Sequence, residues 1–123
     1  MLASKKLKAF VATTNPGKAK SFYKDILGLR LLYEDDYALQ FDANGTPLRI
    51  TTVQELSPQE FTILGWNVDD ISSTIRALND QGVSCIKYNS LSQDEAGIWI
   101  SPGGSKVAWF KDPDGNVLSL TEM

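Results

Sequence analysis

Histidine is absent from this 123-residue chain, and cysteine occurs once, at Cys85. Without imidazole there is no Ser-His or Cys-His nucleophile pair, no two-His-one-carboxylate iron site and no ordinary His-ligated zinc or nickel centre. A single thiol forms neither an internal disulfide nor a multi-thiolate metal site, which fits a reducing compartment. Within Val83-Ser84-Cys85-Ile86 it reads as a small buried hydrophobe. Basic residues are also short, 12 against 15 acidic for a net charge of −3. No basic face is available to grip phosphates, so nucleic acid is not an expected partner. No run of about 20 apolar residues exists, and the patch Lys5-Lys6-Leu7-Lys8 has no apolar signal core behind it. The expectation is a soluble cytoplasmic protein with no membrane partner.

What is present is an ordinary globular composition, 42% hydrophobic and 22% charged. A chain of this length suits a single domain over 1–123, burying roughly two-thirds of the surface exposed when unfolded. Within it one pattern occurs twice. The apolar run Leu7 to Thr13 gives way to Asn15-Pro16, an N-cap with proline at the first helical position. Ala19, Phe22, Tyr23, Ile26 and Leu27 then form a helical stripe that ends at Gly28. Phe61 to Val68 is again strand-like, Asp69-Asp70 supplies a cap, and Ile71, Ile75 and Leu78 make a stripe that ends at Gly82. The steps Asn15 to Gly28 and Asp69 to Gly82 are equal in length. Each is followed by an apolar strand, Leu29 to Tyr33 and Val83 to Tyr88, and by two more strands whose turns carry Asn44-Gly45 and Asp114-Gly115. The chain therefore reads as two β-α-β-β-β modules, about 5–56 and 57–123, joined at Leu56-Ser57-Pro58-Gln59-Glu60. The second carries an insertion, Asn89 to Ser105, which is either a covering loop or an irregular edge.

Because strand side chains alternate, parity separates a helix-packed face from its opposite. Leu118 and Leu120, Leu48 and Ile50, and Leu64, Trp66 and Val68 belong under the helices. That leaves Val117, Ser119 and Thr121, Arg49 and Thr51, and Phe61, Ile63, Gly65 and Asn67 on the other side. Lys8, Phe10 and Ala12 oppose Val11 and Thr13, while Val107 and Trp109 oppose Ala108 and Phe110. The second face thus mixes aromatic and aliphatic groups with a few polar anchors. It suits a small-molecule pocket, an open surface or a homodimer contact.

Two segments carry a resemblance. Ala19-Lys20-Ser21-Phe22-Tyr23-Lys24-Asp25-Ile26-Leu27-Gly28-Leu29 is similar to the first-helix signature of the vicinal oxygen chelate superfamily. Val107-Ala108-Trp109-Phe110-Lys111-Asp112-Pro113-Asp114-Gly115-Asn116 resembles its last-hairpin signature. This is the glyoxalase/bleomycin resistance protein/extradiol dioxygenase superfamily. The resemblance implies an α+β fold in which tandem β-α-β-β-β modules form a curved, mixed eight-stranded sheet around a cavity, usually in a homodimer. In metal-dependent members the first, fourth, fifth and eighth strands each give one ligand to a divalent ion. Those positions correspond here to Lys8, Arg49, Ile63 and Ser119. Two are cations, one has no donor atom and one offers a weak neutral hydroxyl, and the neighbouring Ile50 would be no better.

The expectation is therefore a metal-independent small-molecule-binding protein with no cofactor, acting by drug or metabolite sequestration. Its ligand-binding residues would be Lys8, Phe10, Arg49, Ile63, Asn67, Trp109 and Ser119. Lys8 and Arg49, around a former metal position, suit a carboxylate or phosphate unless their stems simply cover apolar surface. The alternative is a lyase or isomerase in which Arg49 or Lys8 replaces the metal as electrophile. A third possibility is an interaction protein whose cavity is packed shut. Asp112-Pro113-Asp114-Gly115 reads as a turn, Asp69-Asp70 as a helix cap and Glu34-Asp35-Asp36 as a solvated turn.

Overall fold

The computed structural model describes all 123 residues. It divides into two compact units, Met1–Ser57 and Pro58–Met123. Each unit holds one four-stranded mixed sheet, so the eight strands form two hydrogen-bonded ladders and the fold is α+β.

In the first unit β1 (Ala9–Thr13) leads to α1 (Pro16–Lys20), which continues as a π-helix over Ser21–Ile26. β2 (Arg30–Glu34), β3 (Ala38–Ala43) and β4 (Thr46–Thr52) follow, in the sheet order β1-β4-β3-β2. Asn15 caps the helix by accepting the Lys18 N–H at 3.1 Å, with Pro16 at the first position. The π-helical turn was not visible in the periodicity. It is marked by the Leu27 N–H donating to the Phe22 carbonyl at 2.9 Å. The widened turn coincides with two adjacent buried rings, Phe22 and Tyr23, packed edge to face 5.2 Å apart. Beneath them Val11, Leu39, Phe41, Leu48 and Ile50 are buried, each worth about 1.5–3 kcal/mol of burial. Parity therefore holds in β1 and β4. Asn44 and Gly45 both take positive φ, 52° and 94°, as a two-residue hairpin between right-twisted strands requires.

The second unit repeats the plan with β5 (Thr62–Asn67), α2 (Ile71–Asp80), β6 (Trp99–Ile100), β7 (Lys106–Lys111) and β8 (Val117–Glu122), in the order β5-β8-β7-β6. Asp70 caps α2 through the Ser73 N–H, and Glu122 reaches back from β8 to accept the Ile71 N–H at 3.0 Å, tying helix to sheet. Ile71, Ile75 and Leu78 pack toward Ala108, Phe110, Leu118 and Leu120, all buried.

Two expectations are corrected here. Val83 to Tyr88 is not a regular strand; the sixth strand lies in the insertion instead, at Trp99–Ile100 paired with Val107 and Lys106. The 86–88 segment is tied to β7 by the Ile86 N–H donating to the Trp109 carbonyl at 2.7 Å. The Gln93 amide otherwise does the work of a neighbouring strand. It donates to the Ile86 and Gly97 carbonyls and accepts the Tyr88 N–H. Strict alternation also fails in β5. A bulge between Thr62 and Leu64 sets Thr62 opposite Val117, on the face expected for Phe61 and Ile63.

The β7–β8 turn is closed by buried Asp112. Its Oδ1 accepts the N–H groups of Asp114 and Asn116, both at 3.0 Å, and its Oδ2 accepts the Asn116 amide at 2.9 Å. Replacing it strands buried donors, so Asp112→Ala is expected to cost about 1–3 kcal/mol, read as a lower urea midpoint. Asp112→Asn should also destabilise, because its amide N–H groups would face those of Asn116. In the β2–β3 turn, N–H donation from Tyr37 and Ala38 to Asp35 Oδ1, at 2.8 and 2.9 Å, holds that carboxyl below the ordinary aspartate value. A depressed folded pKa contributes stability at neutral pH that is lost as pH falls through it. Carboxyl NMR should find Asp35 titrating below the ordinary aspartate value of about 3.9, with the turn loosening as it protonates; titration at or above that value would contradict the geometry.

Candidate functional site

In each unit the helix covers one face of the sheet and the other carries the candidate residues. On the first unit's open face the register draws one transverse row. Phe10 pairs with Arg49, Arg49 with Gln40, and Gln40 with Tyr33. Tyr33 joins the row because a bulge between Leu31 and Tyr33 interrupts the alternation of β2. Phe10 and Tyr33 are 61% and 51% exposed, while Arg49 and Gln40 are part-buried. Lys8 precedes β1, and its Nζ lies 5.7 Å from the centre of the Phe10 ring, a cation–π contact on the same face. Gln40 Oε1 is buried and has no hydrogen-bond partner.

On the second unit's open face the corresponding row is Gly65, Ser119 and Trp109. Ser119 is buried at 8% exposure. A Cβ on Gly65 would stand 2.8 Å from its Oγ, so only glycine leaves that hydroxyl its place. Trp109 is the centre of an aromatic cluster. Tyr88 meets it edge to face at 5.4 Å, and Trp99, delivered by the insertion, lies at 6.1 Å and a 38° tilt. The insertion therefore supplies an edge strand and part of an aromatic wall. Tyr88 also lines a cavity of about 650 Å3, with Glu60, Ile86, Lys87, Lys111 and Val117; Ile63, Asn67, Trp109 and Ser119 do not line it. Burial and then the Glu60 charge push the Tyr88 phenol up from its ordinary value. Ile63 sits in the β5 bulge and is 36% exposed, and Asn67 is exposed at the end of β5.

The seven residues expected to bind ligand are thus divided, Lys8, Phe10 and Arg49 in the first unit and Ile63, Asn67, Trp109 and Ser119 in the second. Sequence reasoning missed Gln40, Tyr33 and Tyr88. Gln40 follows from strand parity once β3 is aligned against Arg49. Tyr33 and Tyr88 could not be found that way, because a bulge and a non-strand segment place them. Cys85 is part-buried; burial first and Asp94 second push its thiol up, against a smaller opposing pull from Lys87, which fits an inert thiol.

The side chains that the resemblance assigns to the superfamily's ligand slots lack a donor set for a divalent ion. Lys8 and Arg49 bring positive charge, Ile63 has no donor atom, and Ser119 offers one neutral hydroxyl tucked against Gly65. Gln40 adds a single neutral carbonyl, and no group of three or more acidic, thiol or imidazole side chains converges anywhere to hold a metal.

Known proteins resemble this chain in sequence or in architecture. A protein of Bacillus subtilis, YraH, itself uncharacterized, is 27% identical over 122 residues, covering 86% of this chain and 88% of its own. The crystal structure of a glyoxalase family protein from Enterococcus faecalis superposes with a TM-score of 0.77 at 24% identity, covering 99% of this chain and 100% of that one. Lactoylglutathione lyase from Agrobacterium tumefaciens gives the same TM-score at 14% identity, over 99% and 96% of the two chains, a likeness of fold alone. The family model of the Glyoxalase/Bleomycin resistance protein/Dioxygenase superfamily matches residues 7–120, from the first strand to the last, and the chain belongs to that superfamily.

Proposed function

We propose that this chain is a metal-independent small-molecule-binding protein, acting by sequestering a drug or metabolite. The observation that carries the reading is the exchange of ligand atoms for cations at Lys8 and Arg49. It comes on faces that keep exposed aromatic rings and, in the second unit, a cavity of about 650 Å3. A site that held a divalent ion would need acceptor atoms where these residues carry protons. Aromatic walls with a few polar anchors bind organic molecules by burial and orient them by hydrogen bonds. Binding is favoured over a lyase or isomerase that uses Arg49 or Lys8 as electrophile because the row holding Arg49, Phe10–Arg49–Gln40–Tyr33, contains no carboxylate to act as general base, and the carboxylate lining the cavity, Glu60, belongs to the other unit. A cytoplasmic homodimer is part of the same proposal.

Two measurements test it. Elemental analysis should find no stoichiometric divalent ion, and nickel, zinc or manganese added to chelator-treated protein should move the melting temperature by less than about 1 °C. Aromatic amphiphiles should quench tryptophan fluorescence saturably. In Trp109→Ala, checked for native circular dichroism, their affinity measured by calorimetry should fall at least about tenfold, and Trp109→Phe should restore much of it. A tightly held metal equivalent, or binding indifferent to Trp109, would overturn the reading.

A further inference from the structure

We infer that the cavity at the end of the second unit's open face takes a zwitterionic α-amino acid with an apolar side chain, Lys111 pairing with its carboxylate and Glu60 with its ammonium group. This rests on the small-molecule-binding reading and names the class of ligand.

The strands place the cavity. Val117 of β8 stands opposite Lys111 of β7 on one side and Thr62 of β5 on the other, in the row next to Gly65–Ser119–Trp109 on the same face. Val117 is buried and forms the floor, whereas Lys111 and Glu60 are exposed. Glu60, two residues before Thr62, comes from a segment packed on the β7–β8 turn, where a Cβ on Gly115 would stand 3.2 Å from Pro58 Cγ. Ile86 and Tyr88 form another wall, fixed by the Ile86 N–H on the Trp109 carbonyl and the Tyr88 N–H on the Gln93 amide. Apolar walls are thus held by backbone, and the charges are carried on long exposed side chains.

The charges lining the cavity are one carboxylate, Glu60, and two ammonium groups, Lys87 and Lys111. Lys87 Nζ donates to the Asp94 carbonyl at 2.6 Å. Glu60 and Lys111 are in no ion pair; those of the molecule are Lys20–Glu34 and Lys106–Glu122. Opposite charges that line one cavity without meeting each other suit a ligand that carries both. A simple carboxylate would satisfy Lys111 and be repelled by Glu60, and a simple amine would satisfy Glu60 and be repelled by two ammonium groups. An α-amino acid answers both with groups on one carbon. The Glu60 charge is felt at the Tyr88 phenol, so the carboxylate lies near that residue. An ammonium group drawn there gains cation–π attraction beside the ion pair. Trp109 braces the Tyr88 ring edge to face at 5.4 Å, and Ile86 and Val117 give apolar cover to the ligand's side chain.

The test uses the full chain and calorimetric titration with four probes: phenylalanine, 3-phenylpropanoate, 2-phenylethylamine and 3-phenylpropan-1-ol. The wild type should bind phenylalanine at least about fivefold tighter than each of the other three. Backbone amide signals that shift on titration with phenylalanine should cluster at Gly115, Val117 and Tyr88, a readout that needs no variant. Glu60→Gln should weaken phenylalanine at least about fivefold without weakening 3-phenylpropanoate. Lys111→Gln should weaken phenylalanine to a similar extent without weakening 2-phenylethylamine. Both side chains are exposed, and circular dichroism checks that each variant is native. No preference for phenylalanine, amide shifts away from the cavity, or phenylalanine binding indifferent to both substitutions overturns the inference and leaves the small-molecule reading standing. Failure of every probe to bind, the neutral alcohol included, overturns both.

Discussion

The structure depends on a parallel pairing made once in each unit, β1 against β4 and β5 against β8. A parallel neighbour cannot be reached by a tight turn, so the chain must cross over and cover the sheet on its way. The crossover carries the helix, and the helix commits one face of the sheet to the core. Val11, Leu48 and Ile50 in one unit, and Leu118 and Leu120 in the other, are buried for that reason. The opposite face is left with whatever the alternate positions hold. Phe10, Arg49, Gln40, Ser119 and Trp109 are set there by that leftover parity.

On those leftover faces the two units have diverged. Register equates Arg49 with Ser119 at the centre of each row, Phe10 with Gly65 on the edge strand, and Gln40 with Trp109 on the third. One face thus carries charge and an orphaned amide, the other an aromatic wall and a small hydroxyl beside a glycine. Lys8 and Arg49 give the first face positive charge, which disfavours a divalent cation there. That positive charge sits on a protein whose net charge is −3. Local field, not overall charge, decides affinity at contact distance.

The insertion shows how a loop becomes part of a scaffold. Gln93 satisfies two carbonyls and one N–H with a single amide, and so holds 86–88 and 97 in register without a continuous ladder. Trp99 is thereby delivered to Trp109. Gly97, at φ 98° with Cys85 Cβ only 2.8 Å from where its own Cβ would be, permits that close turn. An apolar wall results from a polar device behind it.

The duplicated plan, both helix caps, the hairpin turns and the split of β1, β4 and β7 into two faces were legible in the residues. Each rests on local chemistry: Asn15 and Asp70 bond within a few residues of themselves, and alternation follows from the pleat. The π-helical turn, the bulges at Leu31–Tyr33 and Thr62–Leu64, and the loss of the strand expected at Val83 to Tyr88 were not. Each of these depends on partners far along the chain. The pair of adjacent rings over the sheet, the strand opposite and the Gln93 amide have no signature in the segments they reshape. Sequence alone therefore determined which residues could share a face, because alternation along a strand is a local property. Only the tertiary structure decided that Gln40 stands unsatisfied across the ladder from Arg49, that Tyr33 joins the first unit's row, and that Tyr88 and Trp99 join the second unit's aromatic cluster, because a bulge or a long-range hydrogen bond sets where alternation stops.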